Sequence, residues 1–284
     1  MTDRTEPRPA GADRRRAGEG QEGMPGLHSM IKRFLLVIGL PVVLFATWYL
    51  ASANSENFYA PPLRQILVAF ADTWTLDRLR ADVLPSLARL GAGYLLAAVL
   101  GIALGVAIGA NPRLRAASEP VLEFFRAVPP PVLVPVIMLF AGIGNGMKII
   151  VIVSGCVWPV LLNTVEGVRA TDSVLSDTSR AYGITGVARL RHLLLPAASP
   201  QIVAGLRQAL SIAIILMVIS EMFAASNGLG FTIVQFQRSF AIPEMWSGII
   251  LLGLLGFALS ELFRLAERHA LSWYHGLRDA QRRS

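Results

Sequence analysis

Long stretches without a charged side chain constrain the fold of this chain more than any other feature. Five stretches lack Asp, Glu, Lys and Arg and a sixth contains only Arg207; they cover residues 34–51, 90–110, 127–147, 149–165, 201–220 and 245–260. A helix needs roughly 20 apolar residues to cross the hydrocarbon core of a bilayer, whereas the surface helices of a soluble protein show a polar face. The sequence therefore predicts an all-α, polytopic membrane protein with about six transmembrane helices.

The positions of the basic residues account for the formal net charge of +7 without nucleic acid as a partner. With both termini placed inside, 18 of the 26 Lys and Arg residues fall in four predicted inside segments, residues 1–33, 111–119, 164–202 and 264–284. Six fall in predicted outside segments, among them Arg89 and Lys148. This bias follows the positive-inside rule. It predicts that both termini are cytoplasmic.

The two ends of the chain differ in composition from the middle. Residues 1–30 are rich in Arg, Gly, Pro and Glu and have few large apolar residues, a composition typical of disordered segments. We expect a disordered cytoplasmic tail over residues 1–30 and a transmembrane domain over residues 31–264, with a cytoplasmic loop at about 166–202. Residues 265–284 would form a basic cytoplasmic tail.

The second predicted span carries small residues at intervals of four, Ala97, Gly101, Gly105 and Gly109. Small residues at this spacing line one face of a helix and allow two helix backbones to approach closely. We therefore predict a helix-packing role for all four. Asn111-Pro112 should end this helix because proline cannot continue it.

The third uncharged stretch is interrupted by prolines at positions 129, 130, 131 and 135. A straight helix cannot pass through such a run, so we expect a short interfacial helix, a break and then a crossing helix. Broken backbone at membrane depth must face protein or a water-filled cavity. Pro130 and Pro131 are thus candidates for the lining of a translocation pore, and a purely structural kink is the alternative.

Glu221 lies at the end of the fifth predicted span, directly before a Gly-rich polar segment, residues 224–230. An ionisable residue at this depth is a functional candidate. The side chain could shape an outer gate or contact a binding protein, or it could accept hydrogen bonds from the neighbouring backbone. The sequence leaves these alternatives open.

The chain lacks the sequence motifs of a catalytic or cofactor site. Its four His residues all fall in predicted inside segments, its single Cys has no partner, and no phosphate-binding loop is present. We therefore predict no catalytic residue, no metal and no cofactor, so that any ATP hydrolysis would belong to another chain. A stand-alone secondary transporter would need buried charges, for which only Arg207 and Glu221 are candidates, and a membrane-embedded enzyme would need site residues within the spans.

A polar, basic segment over residues 171–196 stands between the fourth and fifth spans. Asp172 or Ser173 can cap a helix of about three turns, and Gly183 suits the reversal at its end. Thr185 can cap a second short helix, which Pro196 should end. The segment therefore predicts two short helices joined at a bend.

The same segment resembles the conserved loop of bacterial ABC importer permeases, which reads Glu-Ala-Ala, three residues, Gly, nine residues, an aliphatic residue, one residue and Leu-Pro. Here the pattern reads Asp177-Thr178-Ser179, Gly183, Leu193 and Leu195-Pro196. The spacing matches, with Asp in place of Glu and Thr-Ser in place of Ala-Ala. Residues 58–262 further resemble the nitrate, sulfonate and taurine branch, through segments such as SLARLGAGYLLAAVLGIALGVAIG, EPVLEFFRAVPPPVLVPVIMLFAGIGNGMKI and SEMFAASNGLGF.

The resemblance implies the MetI-like fold of type I importers, in the inner membrane of a bacterium. Two permeases, expected to be identical, would form a pore, two cytoplasmic ATPases would bind their inner faces, and an extracytoplasmic protein would deliver the solute. The implied substrate is a small anion of the sulfonate, taurine or nitrate type, and a thiamine-precursor pyrimidine or another small organic solute is the alternative. The residues implied in coupling to the ATPase are Asp177, Thr178, Ser179, Ala181, Tyr182, Gly183, Leu195 and Pro196.

Overall fold

Helices account for nearly all of the regular structure in a computed structural model that describes residues 27–223 and 225–274, with side chains from Gly39 onward. No described residue belongs to a strand, in agreement with the predicted all-α class. Residues 1–26 of the predicted disordered tail lie outside the described residues, as do residues 275–284 of the basic tail. Residues 27–30 were also predicted to be disordered, but they form the first turn of a helix. The α-helices are α1 (Leu27–Ser52), α2 (Leu63–Thr73), α3 (Leu76–Arg78), α4 (Leu84–Ala110), α5 (Pro112–Ala127), α6 (Val134–Ala141), α7 (Asn145–Arg169), α8 (Ser173–Ala181), α9 (Gly186–Arg189), α10 (Leu195–Phe223), α11 (Leu229–Arg238) and α12 (Ile242–Ala270).

Among the described residues, four continuous helices are long and apolar enough to cross a membrane: Leu76–Ala110, Asn145–Arg169, Gly186–Phe223 and Ile242–Ala270. They contain the second, fourth, fifth and sixth predicted spans. Helix α1 belongs to a separate unit that ends at Ser55, and its described apolar part, Gly39–Ser52, is shorter.

The third predicted span is a bent pair of helices. Segments Pro112–Ala127 and Pro130–Ala141 meet at 82°, and Asn111 starts the first by accepting hydrogen bonds from the backbone N–H groups of Arg113 and Leu114. The predicted crossing helix after the break is only α6, whose eight residues span about 12 Å. This falls well short of the roughly 30 Å hydrocarbon core, so α6 alone is not a crossing helix.

Helix α7 occupies the centre of the second unit, which begins at Glu56, and packs against α4 and α10. Ala97 of α4 is fully buried in the core that these three helices share. A Cβ atom on Gly101 would lie 2.8 Å from the Val160 side chain of α7, and one on Gly105 would lie 2.6 Å from the Thr164 side chain. Since real Cβ contacts are longer, this face of α4, which also includes Gly109, has no room for larger residues.

The predicted second short helix does not end at Pro196. Helix α9 continues through a π-helical turn, Leu190–Leu194, directly into α10. The Leu195 N–H donates to the Leu190 carbonyl, five residues earlier. Proline in a regular helix clashes with the carbonyl four residues before it, and the wider turn before Pro196 lets the helix continue. The sequence Arg-Leu-Arg, three residues, Leu-Pro recurs before α4, with a π-helical turn at Leu79–Val83.

Helix α2 packs on the bundle through its apolar face. Leu63, Ile66 and Ala69 are buried, and α12 is the main neighbour of this helix. Just beyond α2, Trp74 donates a hydrogen bond from Nε1 to Ser247 Oγ of α12 at 3.1 Å. This amphipathic helix therefore packs on the protein bundle.

Candidate coupling turn and buried polar cluster

Helix α8 begins with a side-chain cap. Asp172 Oδ1 accepts hydrogen bonds from the backbone N–H groups of Val174 at 2.7 Å and Leu175 at 3.1 Å. Of the two predicted candidates, Asp172 is therefore the cap. Such a cap satisfies N–H groups that the first turn of a helix leaves without partners.

The reversal after α8 depends on glycine. Gly183 has φ +68° and Gly186 has φ +58°, in the left-handed region that favours glycine. The Ile184 N–H donates to the Ser179 carbonyl at 2.9 Å, and Ser179 Oγ donates to the Ile184 carbonyl at 3.1 Å. Thr185 stands at the start of α9, but its side chain makes no capping hydrogen bond there.

Side-chain contacts join α8 to α9. Arg189 Nη2 donates to Ser176 Oγ at 2.8 Å, across the bend. With the bonds between Ser179 and Ile184, this contact makes residues 172–189 one ordered element, which we call the coupling turn.

The exposed surface of the coupling turn carries several large apolar side chains. Tyr182 is 80% exposed and Val187 is 78% exposed, and Val174 is also exposed. Asp177 and Thr178 are exposed beside them, and Asp177 pairs with Arg180 at 3.4 Å. An exposed pair of this kind stabilises a protein by less than about 1 kcal/mol.

The residues predicted to act in coupling do not all share this surface. Ala181, at the end of α8, is exposed, whereas Ser179 is buried inside the turn. Leu195 packs against the buried cluster around Leu194 and Ala198. Pro196 lies in the first turn of α10, beyond the π-helical turn.

The proline-rich break contacts the span helices. A Cβ atom on Gly155 of α7 would lie 3.1 Å from Pro130 Cβ, and Phe125 stacks on Trp158 with ring centroids 5.7 Å apart. Pro130 and Trp158 border a cavity of about 340 Å³, together with Asn163 of α7. Pro131 is half-buried in the same break but is not one of the residues that line this cavity.

Glu221 forms a buried ion pair with Arg89 of α4. Arg89 Nη1 lies 2.7 Å from Glu221 Oε1, and the two side chains are 5% and 0% exposed. Ser86 Oγ lies 2.8 Å from Glu221 Oε1, and the Gly230 N–H donates to Glu221 Oε2 at 3.0 Å. The backbone-capping role that the sequence allowed for Glu221 is therefore present, together with an ion pair that the sequence did not indicate.

Arg89 has further partners at the start of α7 and in the segment before α11. Its Nε donates to Asn145 Oδ1 at 2.8 Å and its Nη1 donates to the Asn227 carbonyl at 3.1 Å, while Nη2 bonds Asn227 Oδ1. We use the name buried polar cluster for buried Ser86, Arg89 and Glu221 together with their partners Asn145, which is exposed, and Asn227, which is half-buried. It ties the beginnings of α4 and α7 to the end of α10.

Sequence reasoning placed Arg89 and Lys148 in outside segments and did not indicate that either residue is buried. Arg89 lies in the second turn of α4 and Lys148 in the first turn of α7, and both are buried. The sequence did contain a signal: Arg89, Lys148 and Glu221 stand at three predicted span ends on the same side of the membrane. Buried charges require partners, and the ends of neighbouring spans can supply them.

Together, the four spans, the bent helix pair and the coupling turn define a helical membrane protein with an ordered element at one end of its bundle. Residues 97–270, more than half of the chain, match the family described as "Binding-protein-dependent transport system inner membrane component". The chain belongs to this family of ABC transporter permeases, and it is a multi-pass membrane protein.

Three named relatives are similar along most of their length. The chain is 29% identical to an aliphatic sulfonates transport permease protein of Bacillus subtilis (strain 168), covering 82% of this chain and 86% of the relative. It is 28% identical to the taurine transport system permease protein of Escherichia coli (strain K12), over 86% and 91%. It is 27% identical to the bicarbonate transport system permease protein of Synechococcus elongatus, over 90% and 96%.

One solved structure supports the fold. The inward-facing MetNI methionine ABC transporter contains a chain with a TM-score of 0.56 and 23% identity, covering 68% of this chain and 94% of that chain. The predicted MetI-like importer fold is thus confirmed.

Proposed function

We propose that this chain forms the translocation pathway of an ATP-driven importer for a small oxyanion, delivered by an extracytoplasmic binding protein. The observation that carries the proposal is the coupling turn. Residues 172–189 are ordered by a helix cap, two left-handed glycines and a hydrogen bond from Arg189 to Ser176. Side chains that order a loop in this way suit an element that must transmit displacement.

ATP hydrolysis would take place in two partner chains that bind the coupling turn. Exposed Val174, Tyr182 and Val187 offer an apolar contact surface, with Asp177 and Thr178 at its polar margin. Movement of the ATPases would displace the coupling turn as one body. Because α9 continues into α10, the displacement would reach the membrane bundle along a helix.

The proposed function implies one orientation of the chain in the membrane and a set of partners. The coupling turn faces the cytoplasm, both termini lie on the cytoplasmic side, and the buried polar cluster lies near the outer face of the inner membrane. A second copy of the chain completes the pore, and Pro130 and Pro131 stand beside it at the proline-rich break. The basic bias of the predicted inside segments supports the orientation.

A small oxyanion is the substrate class that the observations favour. The solutes in the names of three relatives, aliphatic sulfonates, taurine and bicarbonate, each carry a compact oxyanion group, although taurine as a whole is a zwitterion. Nitrate, which the sequence resemblance also implied, belongs to the same class. At the end of the bundle opposite the coupling turn, the charge of Arg89 is balanced by Glu221, and buried Lys148 provides a net positive charge.

The test is copurification followed by an ATPase assay. An ATPase chain should copurify with this permease after mild detergent extraction, and ATP hydrolysis by the reconstituted complex should rise with loaded binding protein. Gly183→Val should abolish this stimulation, because a β-branched residue is an outlier at φ +68°.

Gly183→Asn is the matched control, since Asn tolerates the left-handed conformation. A Cβ atom at Gly183 would meet no heavy atom within 4 Å, so only the backbone conformation distinguishes the two variants. Both should insert into membranes and elute as wild type does on size exclusion. Normal stimulation in Gly183→Val, or absence of any copurifying ATPase, would refute the proposed coupling.

A further inference from the structure

A second feature lies beside the buried polar cluster: a cavity of about 610 Å³ at the start of α7. We call it the lysine cavity. Its polar lining includes Arg89, Asn145, Lys148 and Asn227, and Met138 and Phe223 are among its apolar lining residues. Ligand sites for small molecules combine apolar walls with a few placed polar groups in volumes of roughly 300–1,000 Å³. The lysine cavity fits that description.

Lys148 is the unusual residue of this cavity. It is only 3% exposed, yet it has no hydrogen bond and no ion pair with any residue that the structure describes. Arg89, by contrast, already bonds Glu221, Asn145 and Asn227. The Lys148 Nζ is not among the enclosed polar atoms that lack a hydrogen-bond partner, so the ammonium group is accessible from the cavity.

The charges around Lys148 do not balance within the chain. Glu221 is matched by Arg89 at 2.7 Å. Asp82, the next buried carboxylate, accepts from the Gly228 N–H at 3.2 Å and lies 4.0 Å from Arg78. One positive charge, that of Lys148, is left without a partner, and it borders an open cavity.

The start of α7 adds donors to the same place. No side chain caps this helix, and a helix N-terminus presents free N–H groups and a partial positive charge. Gly144 and Gly146 have no heavy atom within 4 Å of where a Cβ would stand, so the backbone is approachable there. Arg89 donates to Asn145 Oδ1. The N–H groups of the Asn145 side-chain amide have no partner among the described residues, so they are further donors.

We propose that the lysine cavity binds one small oxyanion, with Lys148 as its counter-charge and the Asn145 amide and the first turn of α7 as its hydrogen-bond donors. The inference rests on the proposed function and deepens it, because it places a substrate subsite about 30 Å along α7 from the coupling turn. Arg89 is a positioning residue here, since its own donors are used within the buried polar cluster.

The experiment uses the full-length permease in nanodiscs of zwitterionic lipid, with methanesulfonate, taurine and bicarbonate as probes in isothermal titration calorimetry. Lys148→Met keeps the length of the side chain and removes the charge. It should weaken binding of the best probe by at least about tenfold, the loss expected for one hydrogen bond to a charged group. Lys148→Arg should restore most of the affinity, and Arg238→Met, which alters an exposed cation of α11, should change nothing.

Thermal unfolding separates a ligand site from a structural lysine. The probe should raise the melting temperature of the wild type and not that of Lys148→Met. Without probe, the variant should be about as stable as the wild type, because Lys148 makes no hydrogen bond or ion pair with the described residues that the substitution would break. A variant that is less stable without probe would assign Lys148 a structural role and overturn the proposal.

The remaining outcomes distinguish the sources of the anion and the two proposals. Neutral dimethyl sulfone should not bind; binding equal to that of methanesulfonate would refute an anion site. Binding that requires anionic lipid in the disc would assign the cavity to a lipid headgroup and refute the free solute.

If the complete importer transports a probe at the wild-type rate with Lys148→Met, the subsite fails and the proposed function stands. If no probe is transported but binding depends on Lys148, the subsite stands and the proposed substrate class fails.

Discussion

Glu221→Gln removes the negative charge of the buried polar cluster and preserves the size of the side chain. Arg89 then remains largely buried as a cation, because its side chain is only 5% exposed, at the edge of the lysine cavity. Removal of one partner of a buried ion pair costs about 3–5 kcal/mol. Arg89 keeps its bonds to Asn145 and Asn227, so we expect a loss near the lower end, about 3 kcal/mol.

The assay is equilibrium unfolding of the purified protein in mixed micelles, followed by far-ultraviolet circular dichroism. The matched control is Glu123→Gln, which removes the same charge from a pair with Arg126 that is 58% and 55% exposed. The control should cost less than about 1 kcal/mol. A second arm combines Arg89→Gln with Glu221→Gln, and the double variant should lose less than the sum of the single losses, since the uncompensated charge is gone.

A stability loss in Glu221→Gln no larger than that in Glu123→Gln would refute the stabilising role of the Arg89–Glu221 ion pair. Additive losses in the double variant would also contradict it, because they would mean that Arg89 and Glu221 stabilise the protein independently. A loss confined to the segment before α11, detected as faster hydrogen exchange at Gly230 alone, would reduce Glu221 to a local cap.

Two further predictions concern helix packing and the coupling turn. Gly105→Ala should destabilise the fold by about 1–3 kcal/mol, because its Cβ would lie 2.6 Å from the Thr164 side chain. Gly91→Ala in the same helix has open space around it and should be neutral. Equal unfolding curves for the two variants would count against the close α4–α7 contact. Asp172→Ala should cost about 1 kcal/mol of local stability through loss of the cap and should raise hydrogen exchange at Val174 while the spans keep their protection; unchanged exchange at Val174 would contradict the capping role.

Local features of this fold could be predicted from the sequence because local chemistry determines them. The helix start at Asp172 and the left-handed turn at Gly183 each depend on a residue type with one strong conformational preference. The end of α4 at Asn111-Pro112 and the break after Ala127 follow from proline in the same way. The uncharged stretches indicated a membrane protein because a helix that crosses the hydrocarbon core needs roughly 20 apolar residues, whereas a soluble helix does not.

Long-range contacts were harder to predict. The sequence marked Glu221 as a candidate but could not supply its partner, because Arg89 lies 132 positions away and the pairing depends on how α4 and α10 pack. The burial of Lys148 could not be predicted for the same reason, because it depends on how the bundle packs. Pro196 was expected to stop a helix, and it does not, because the π-helical turn over Leu190–Leu194 accommodates it.

The continuous helix from Gly186 to Phe223 couples movements at the two ends of the bundle. Its 38 residues extend about 57 Å, from the coupling turn to Glu221. A shift of the whole rod along its axis by one residue rise, about 1.5 Å, would carry the Glu221 carboxylate by the same amount. The Arg89–Glu221 contact of 2.7 Å would lengthen to between about 3.1 Å, if it lies across the helix axis, and about 4.2 Å, if it lies along the axis, so the shift would stretch the ion pair to the limit of hydrogen-bond distance or beyond it. The stiffness of one helix thus sets how far the coupling turn can move before the opposite end of the bundle must rearrange.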